Sequence, residues 1–534
     1  MIRQSASPLI ILSSFLTQTF YYPILGALID TLLLVVLALL VKKVFHINKF
    51  YFLPSFLVLL TQTSVGYAIY DLFDSSFLFS IVLGSIFMVI LIAIFNILKD
   101  KKFGLGLTII ISIIFCFLIG IYAPIALLVF YIIQNLHNVS KRNILGIILS
   151  LAIGGILPYF TSKYLYYEPY IHTLLSPFPS DKYMNIFILS FIVCLSFIVI
   201  AILQTKENNK FIRNEKIALA LFFLLGFVTF FCSYRDSNFK TEIKMQRMTQ
   251  KFDWKGITKS FKEIENPTKA IYAYYLIAIN NQDMLYSKAF DFSCKFEKSK
   301  SKYLTGEPTY YEDLLFNASF FNTSYLWSME FWTTIGYSYE RLKKMTLCAL
   351  MNEEYDLANK YIQQLQHTMF QSKWAEEYAT YTNNIDLLFE KHPELIKIKR
   401  EIPIKSQIVK LEPLNETYGM YDNLSYCNAE RRLLADLYNK NMKAFSKDLL
   451  QMGNFYQKYP MPKYFKEAII ICAMNGDLNP IKKYNVEHPL AEKLKKFNAQ
   501  LKKYKEEEVA YNALKEEYKG YYCLYYIFAN NKIK

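Results

Sequence analysis

Lys216 to Arg235 reads KIALALFFLLGFVTFFCSYR, and this is where the chain changes solvent. About 18 residues between the two charges are uncharged, enough at ~1.5 Å per residue to cross a ~30 Å hydrocarbon core. No comparable run follows, whereas the residues before it are almost wholly lipid-soluble. The segment reads as the last membrane span, and it delivers a C-terminal region of roughly 300 residues to one side of a bilayer.

Whole-chain averages hide this division: over 534 residues, 53% are hydrophobic and the mean hydropathy is only +0.16. Residues 1–234 carry 15 Lys+Arg and 8 Asp+Glu, and the remainder carry 45 and 37. A charge-poor half followed by a charge-rich half is what a membrane domain (1–234) joined to a soluble domain (235–534) requires. In the second half the two signs are interleaved, which describes a solvated surface and gives no track for nucleic acid.

Working back from the last span, the apolar runs come in order. Leu9 to Tyr22 is too short to cross unaided and reads as a re-entrant or interfacial helix. Spans follow at Pro23–Val41, Leu53–Tyr70 and Phe77–Leu98. Phe103–Leu136 has 34 residues, or ~51 Å as a helix, too long for one crossing; Gly120 and Pro124 mark a turn between two short spans. Ile144–Phe160 and Met184–Leu203 complete a set of about eight. The loops at 42–52, 99–102, 138–143 and 204–216 are rich in Lys and Arg, which marks them as cytoplasmic. The expected architecture is thus an all-α polytopic bundle in a bacterial inner membrane, with the C-terminal domain in the periplasm.

That domain patterns as helices with Asn- and Gly-containing breaks. A small residue, then Asn three later, then a large apolar residue three later recurs. The copies are Ala278, Asn281, Met284; Ala349, Asn352, Tyr355; Asp436, Asn439, Met442; and Cys472, Asn475, Leu478, with a weaker copy at Asn317 and Phe320. Most intervals fall near the ~34-residue tetratricopeptide period. Asn tolerates the left-handed backbone that ends a helix, so these positions predict helical hairpins stacked as an α-solenoid whose groove takes a peptide or protein. Pro489–Tyr518 reads as a solvated helix, and Tyr521–Phe528 as an aromatic segment capping the core.

SSFLTQTFYYPILGALID (Ser13–Asp30), Trp254 paired with the Ala278 turn, and LMNEEYDLANKYIQQLQHTMFQSKWAEEY (Leu350–Tyr378) together resemble an uncharacterised family of Bacteroidota multi-pass membrane proteins. Those proteins are known only as a domain of unknown function with a C-terminal tetratricopeptide-like region. The resemblance implies an envelope location and supplies no activity.

No protease, hydrolase, P-loop or dinucleotide signature occurs. The eight cysteines have no C-x-x-C spacing and His is scarce, so free thiols are expected, and neither a metal site nor a cofactor. Acids on the outer side remain. Asp71, Asp74, Glu168 and Asp181, with His172, would be catalytic candidates if they converged at the bundle mouth around a cation and a lipid-linked phosphate. Tyr164, Tyr166, Tyr167, Tyr170 and Tyr183 would then stack on sugars, although an interfacial aromatic belt explains them as simply. Asp30 lies ~10 Å into its span, where an acid costs up to ~3 kcal/mol, which makes it the intramembrane polar candidate. Two functions follow: a membrane-anchored extracytoplasmic scaffold contacting membrane lipid and an envelope protein or peptide, or a glycosyl or phosphoglycosyl transferase whose repeats hold the acceptor.

Overall fold

A computed structural model describes residues 5–66, 76–101, 103–178, 184–205, 214–292, 310–335, 338–400 and 426–529. Every regular element among them is helical. The chain divides into two compact units, Met1–Arg235 and Asp236–Lys534.

The first unit contains α1 (Ser7–Thr17), α2 (Pro23–Val44), α3 (Leu53–Thr63), α4 (Phe77–Leu98), α5 (Gly104–Ile119), α6 (Tyr122–His137), α7 (Lys141–Thr161), α8 (Tyr170–Leu175), α9 (Met184–Thr205) and α10 (Glu215–Cys232). Five helices are long and apolar enough to cross a membrane: α2, α4, α7 with its continuation to Tyr166, α9 and α10. Of these α4 is central, with 72% of its apolar window buried, while α7 and α10, at 11% and 6%, form the periphery. Helices α3, α5 and α6 are shorter. The last two have 16 residues each, about 24 Å, less than the hydrocarbon thickness. They meet at Gly120, whose φ of +63° and whose contact with Ser176 O, 2.2 Å from where a Cβ would sit, leave no room for a side chain.

Polar groups in these helices are absorbed locally. Ser13, Thr61, Ser85 and Ser190 each donate to the carbonyl four residues back, which removes an unpaired hydroxyl from an apolar phase. Gly84 of α4 admits the ring of Tyr122, which is wholly buried. The Thr108 and Tyr131 hydroxyls lie 2.8 Å apart and join α5 to α6.

Helix direction sorts the charges. Arg142 Nη2 donates to Lys99 O, joining the end of α4 to the start of α7. Lys49, just past α2, pairs with Glu215 at the start of α10. At the opposite end of the bundle, Gln62 of α3 reaches Asp30 of α2 and Leu78 O of α4, and Tyr234 N donates to Thr63 O. The basic helix ends at 42–49, 99–101 and 141–142 therefore lie at one end, and the chain leaves the bundle from the other.

Among its described residues the second unit has six αα-hairpins, each closed by one cap. Their first helices are α11 (Ser237–Gln250), α13 (Lys269–Asn281), α15 (Tyr311–Asn317), α17 (Tyr339–Met351), α22 (Tyr426–Tyr438) and α25 (Lys463–Met474). Each ends in a residue of positive φ: Phe252, Asp283, Ser319, Glu353, Lys440 and Gly476. In every case the next N–H donates five residues back, as in Glu354 N to Ala349 O at 2.8 Å, and the positive-φ N–H donates three back, as in Glu353 N to Leu350 O at 3.1 Å. This pair of bonds is the Schellman motif. The second helices follow at once: α12 (Trp254–Lys262), α14 (Leu285–Lys288), α16 (Phe321–Ile335), α18 (Tyr355–Gln366), α23 (Met442–Gln451) and α26 (Asn479–Lys483). Between the fourth and fifth hairpins lie α19 (Ser372–Asn383), α20 (Asp386–Lys391) and α21 (Glu394–Arg400), and α24 (Phe455–Lys458) precedes α25. The chain closes with α27 (His488–Leu501), α28 (Glu507–Leu514) and α29 (Tyr522–Phe528).

The caps lie one or two residues after Asn281, Asn317, Asn352, Asn439 and Asn475, and the left-handed residue is not the Asn itself. Asn352 and Asn475 have φ of −85°, and the left-handed residue is the one after them. At Asn281 it is two residues on, at Asp283. The side chains instead tie the turns to neighbours: Asn281 Nδ2 donates to Asn317 Oδ1 at 3.1 Å, and Asn475 Nδ2 to Tyr526 OH at 3.1 Å. Asn439 continues its helix, donating its N–H to Ala435 O at 2.9 Å. Leu478, the apolar member of the last copy, is 50% exposed.

Two apolar cores result. One gathers Phe316 to Ile398 from α15 to α21. The other joins α11 to α16 with α22 to α29, and its centre is aromatic: the Phe290 ring lies about 5 Å from those of Tyr438, Tyr464, Tyr522 and Tyr525. Tyr464 OH also donates to Ser287 O, 177 residues away.

Candidate functional site

Of the acid, histidine and tyrosine candidates, Tyr164, Tyr166, Tyr167, Glu168, Tyr170 and His172 fall on the stretch from the end of α7 into α8. Helix α7 contains Pro158, which has no N–H, so Gly154 O loses its donor one turn back. The helix then loosens into a π-helical turn, Ser162–Tyr166, and Tyr167 takes φ +57° and ends it. Short α8 returns the chain toward the bundle. There Ser176 O accepts from Ile121 N at 3.0 Å, Ser176 Oγ donates to Ser5 O at 2.9 Å, and Phe178 packs edge-on to Tyr122 at 5.3 Å. Residues 170–178 thus plug the α5–α6 turn.

Beside the plug is a narrow cleft lined by Cys116, Pro124, Gly154, Pro158, Tyr166 and Thr173, among others. Glu168 and His172 do not line it. Glu168 is half-buried and burial pushes its carboxyl up, with His172 pulling the other way; His172 is exposed. Tyr164 and Tyr167 are 64% and 83% exposed, and Tyr170 OH donates to Gly155 O at 3.3 Å. Asp71, Asp74, Asp181 and Tyr183 lie outside the described residues. Among the described residues no group of three His, Cys, Asp or Glu side chains is placed to hold a metal ion.

Asp30 stands apart from this stretch. Its Oδ1 accepts from Gln62 Nε2 at 2.9 Å, and the same nitrogen donates to Leu78 O at 2.7 Å. Gln62 Oε1 is buried without a hydrogen-bond partner. Sequence reading found the acid and missed the amide, because a Gln near a helix end gives no signal until its neighbour 32 residues earlier is known.

The second unit holds buried charge of its own. Lys344 Nζ lies 2.7 Å from Asp313, and Ser328 donates to Glu312 at 2.6 Å, with Arg341 also facing that carboxylate. This network bonds α15, α16 and α17 and leaves its charges paired. Glu467 is fully buried: its Oε2 accepts Tyr522 N at 2.6 Å at the start of α29, and Lys463 stands 3.8 Å from Oε1. Burial pushes its carboxyl up to about 7. Burial and the neighbouring Asp448 carboxylate also push Asp436 up to about 7. The described cysteines, Cys116, Cys194, Cys232, Cys348, Cys472 and Cys523, are free thiols.

A family profile described as a family of unknown function, DUF6057, matches residues 1–529. The chain belongs to DUF6057. No curated protein and no solved structure matches it. Membership in DUF6057 covers both units and assigns no chemistry to either.

Proposed function

We propose that this DUF6057 chain is an envelope scaffold, held in a bacterial inner membrane by about eight crossings, whose periplasmic helical hairpins bind a protein or peptide. The observation that carries this is the bias of charge in the first unit: among the described residues Lys42, Lys43, Lys49, Lys99, Lys101, Lys141, Arg142 and Lys216 lie at one end of the bundle, against Lys163 and Arg235 at the other, from which Tyr234 leaves. Lys and Arg favour the cytoplasmic side, so the second unit belongs outside. The recurring Schellman cap at 31 to 36 residues through the first four hairpins supports a tetratricopeptide-like solenoid, and such stacks commonly present a partner-binding groove. A Bacteroidota origin fits the same reading.

The transferase reading is weaker, because Glu168 and His172 stand outside the cleft beside them. Single cysteines at Asn352 and Lys141 test the topology. In intact cells an impermeant maleimide should label the first and spare the second until the cells are opened. Labelling of Lys141→Cys alone would reverse the orientation and remove the periplasmic role. Crosslinking with mass spectrometry on solubilised protein should then recover one envelope partner through the second unit.

A further inference from the structure

We propose that the exposed faces of α11 and α12 form a basic surface that docks on the anionic phospholipid headgroups of the membrane the chain spans. On α11 and its C-cap, Lys240, Lys244, Arg247 and Lys251 follow one another at four, three and four residues. At ~100° per residue that spacing keeps them within about 60° of arc. Lys255, Lys259 and Lys262 repeat the pattern on α12. All of these side chains are exposed. The opposite faces turn to the core: Glu242, Met245 and Thr249 of α11 are buried, as are Trp254, Ile257 and Phe261 of α12.

Little on these faces neutralises them. Among the described residues the lysines have no ion-pair partner, and only Arg247 lies near enough to a carboxylate, that of Glu340, to act on its charge. The acids of the two helices are engaged elsewhere: Glu242 accepts from Thr268 Oγ1, Asp236 caps α11 and Asp253 caps α12. The exposed faces of α18 and α19 mix signs instead, with Asp356, Lys360, Lys373 and Glu376, so an unbroken basic face is not a general property of the hairpins.

The covalent chain decides the occupant. α10 ends at Cys232 and α11 begins at Ser237, a gap of at most ~18 Å. Lys240 thus stays within about 23 Å of the end of the apolar helix. Arg235 shortens the path by folding back on α10, with Nη2 donating to Phe230 O at 2.6 Å. A headgroup layer ~6 Å deep, whose field reaches about a further 8 Å, lies within range of lysine side chains held there. The tether keeps the basic face at high effective concentration against the bilayer, an advantage no diffusing acidic protein has. The inference holds whichever side the second unit occupies, so it stands apart from the scaffold reading.

The test uses the full chain in nanodiscs of phosphatidylcholine, alone or with about one third phosphatidylglycerol. A neutral succinimidyl ester acylates exposed amines, and mass spectrometry reads the rate at each lysine. Lys240, Lys244, Lys255 and Lys259 should react more slowly in the anionic discs, and NaCl at about 0.5 M should remove the difference. Lys502 and Lys503, exposed at the end of α27, should react alike in both discs. A basic side chain near an anionic surface is worth about fivefold in partition. Lys244→Gln with Lys251→Gln should therefore weaken docking about 25-fold and return Lys255, Lys259 and Lys262 to their rate in neutral discs, at an unchanged elution volume. Lys502→Gln with Lys503→Gln should leave the protection intact. Equal rates in the two discs, protection that survives the salt or the first double variant, or protection by polyglutamate in neutral discs but not by phosphatidylglycerol would each overturn the proposal.

Discussion

The hydroxyls of Tyr272 and Tyr438 lie 2.8 Å apart although 166 residues separate them in the chain. Tyr272 OH also donates to Ala289 O at 2.6 Å, and both rings are buried. The second hairpin is thereby bonded to the fifth. Removing one hydroxyl leaves buried partners unpaired, at a cost of about 1–3 kcal/mol. Tyr272→Phe should lower the unfolding temperature of the second unit's transition by several degrees, whereas the exposed Tyr459→Phe should not. A calorimetric trace of Tyr272→Phe matching wild type would remove the bond from the stability account.

Glu467 makes the second unit sensitive to pH. Its folded pKa of about 7 lies above the ordinary value of 4.5 because of burial. A carboxyl with a raised pKa contributes stability that is fully present below its unfolded value and is lost as pH rises through the folded one. Stability should therefore fall between about pH 4.5 and 7 and level off above, and Asp436 adds a change of the same sign. Glu467→Gln should flatten part of that slope while keeping the side chain's shape. Denaturation midpoints at pH 5, 6, 7 and 8 would decide it, and parallel curves for variant and wild type would refute the assignment.

Gly476 isolates the backbone cost of a Schellman turn. Its φ is +94° and an added Cβ would meet nothing within 4 Å. Gly476→Ala should destabilise by about 1 kcal/mol from the left-handed conformation alone. A neutral result in urea titration would mean that the turn rearranges at no cost.

In the membrane unit, Asp30 and Gln62 should couple. Polar pairs between membrane helices are worth about 0.6 and at most about 1.7 kcal/mol. A double-mutant cycle with Asp30→Leu and Gln62→Leu, read by unfolding in mixed detergent micelles, should return a coupling in that range. Strict additivity would show that the 2.9 Å contact contributes nothing.

What the sequence made legible were features with a period or a length. The run after Lys216 is the helix Glu215–Cys232, and the break at Gly120 separates two 16-residue helices. The hairpin turns appear where small residues and Asn recur, although the strain sits on Glu353, Lys440 and Gly476, because a Schellman turn places its left-handed residue after the last helical one. Contacts without a period left no trace. Nothing near Asp30 points to Gln62, and nothing in an aromatic-rich chain selects Tyr438 as the partner of Tyr272. Ile144–Phe160 reads as a plain span, and the loosened turn that follows Pro158 shows only in the structure.

The Tyr272 to Tyr438 bond also limits how this array can evolve. Repeat proteins usually grow or shrink by whole units, since each unit touches only its neighbours. Here a duplicated hairpin inserted between Glu353 and Lys440 would have to be accommodated without parting Phe290 from Tyr438 and Tyr525. The second unit is a clasp of set length, and gain of a repeat should be far rarer in it than point change.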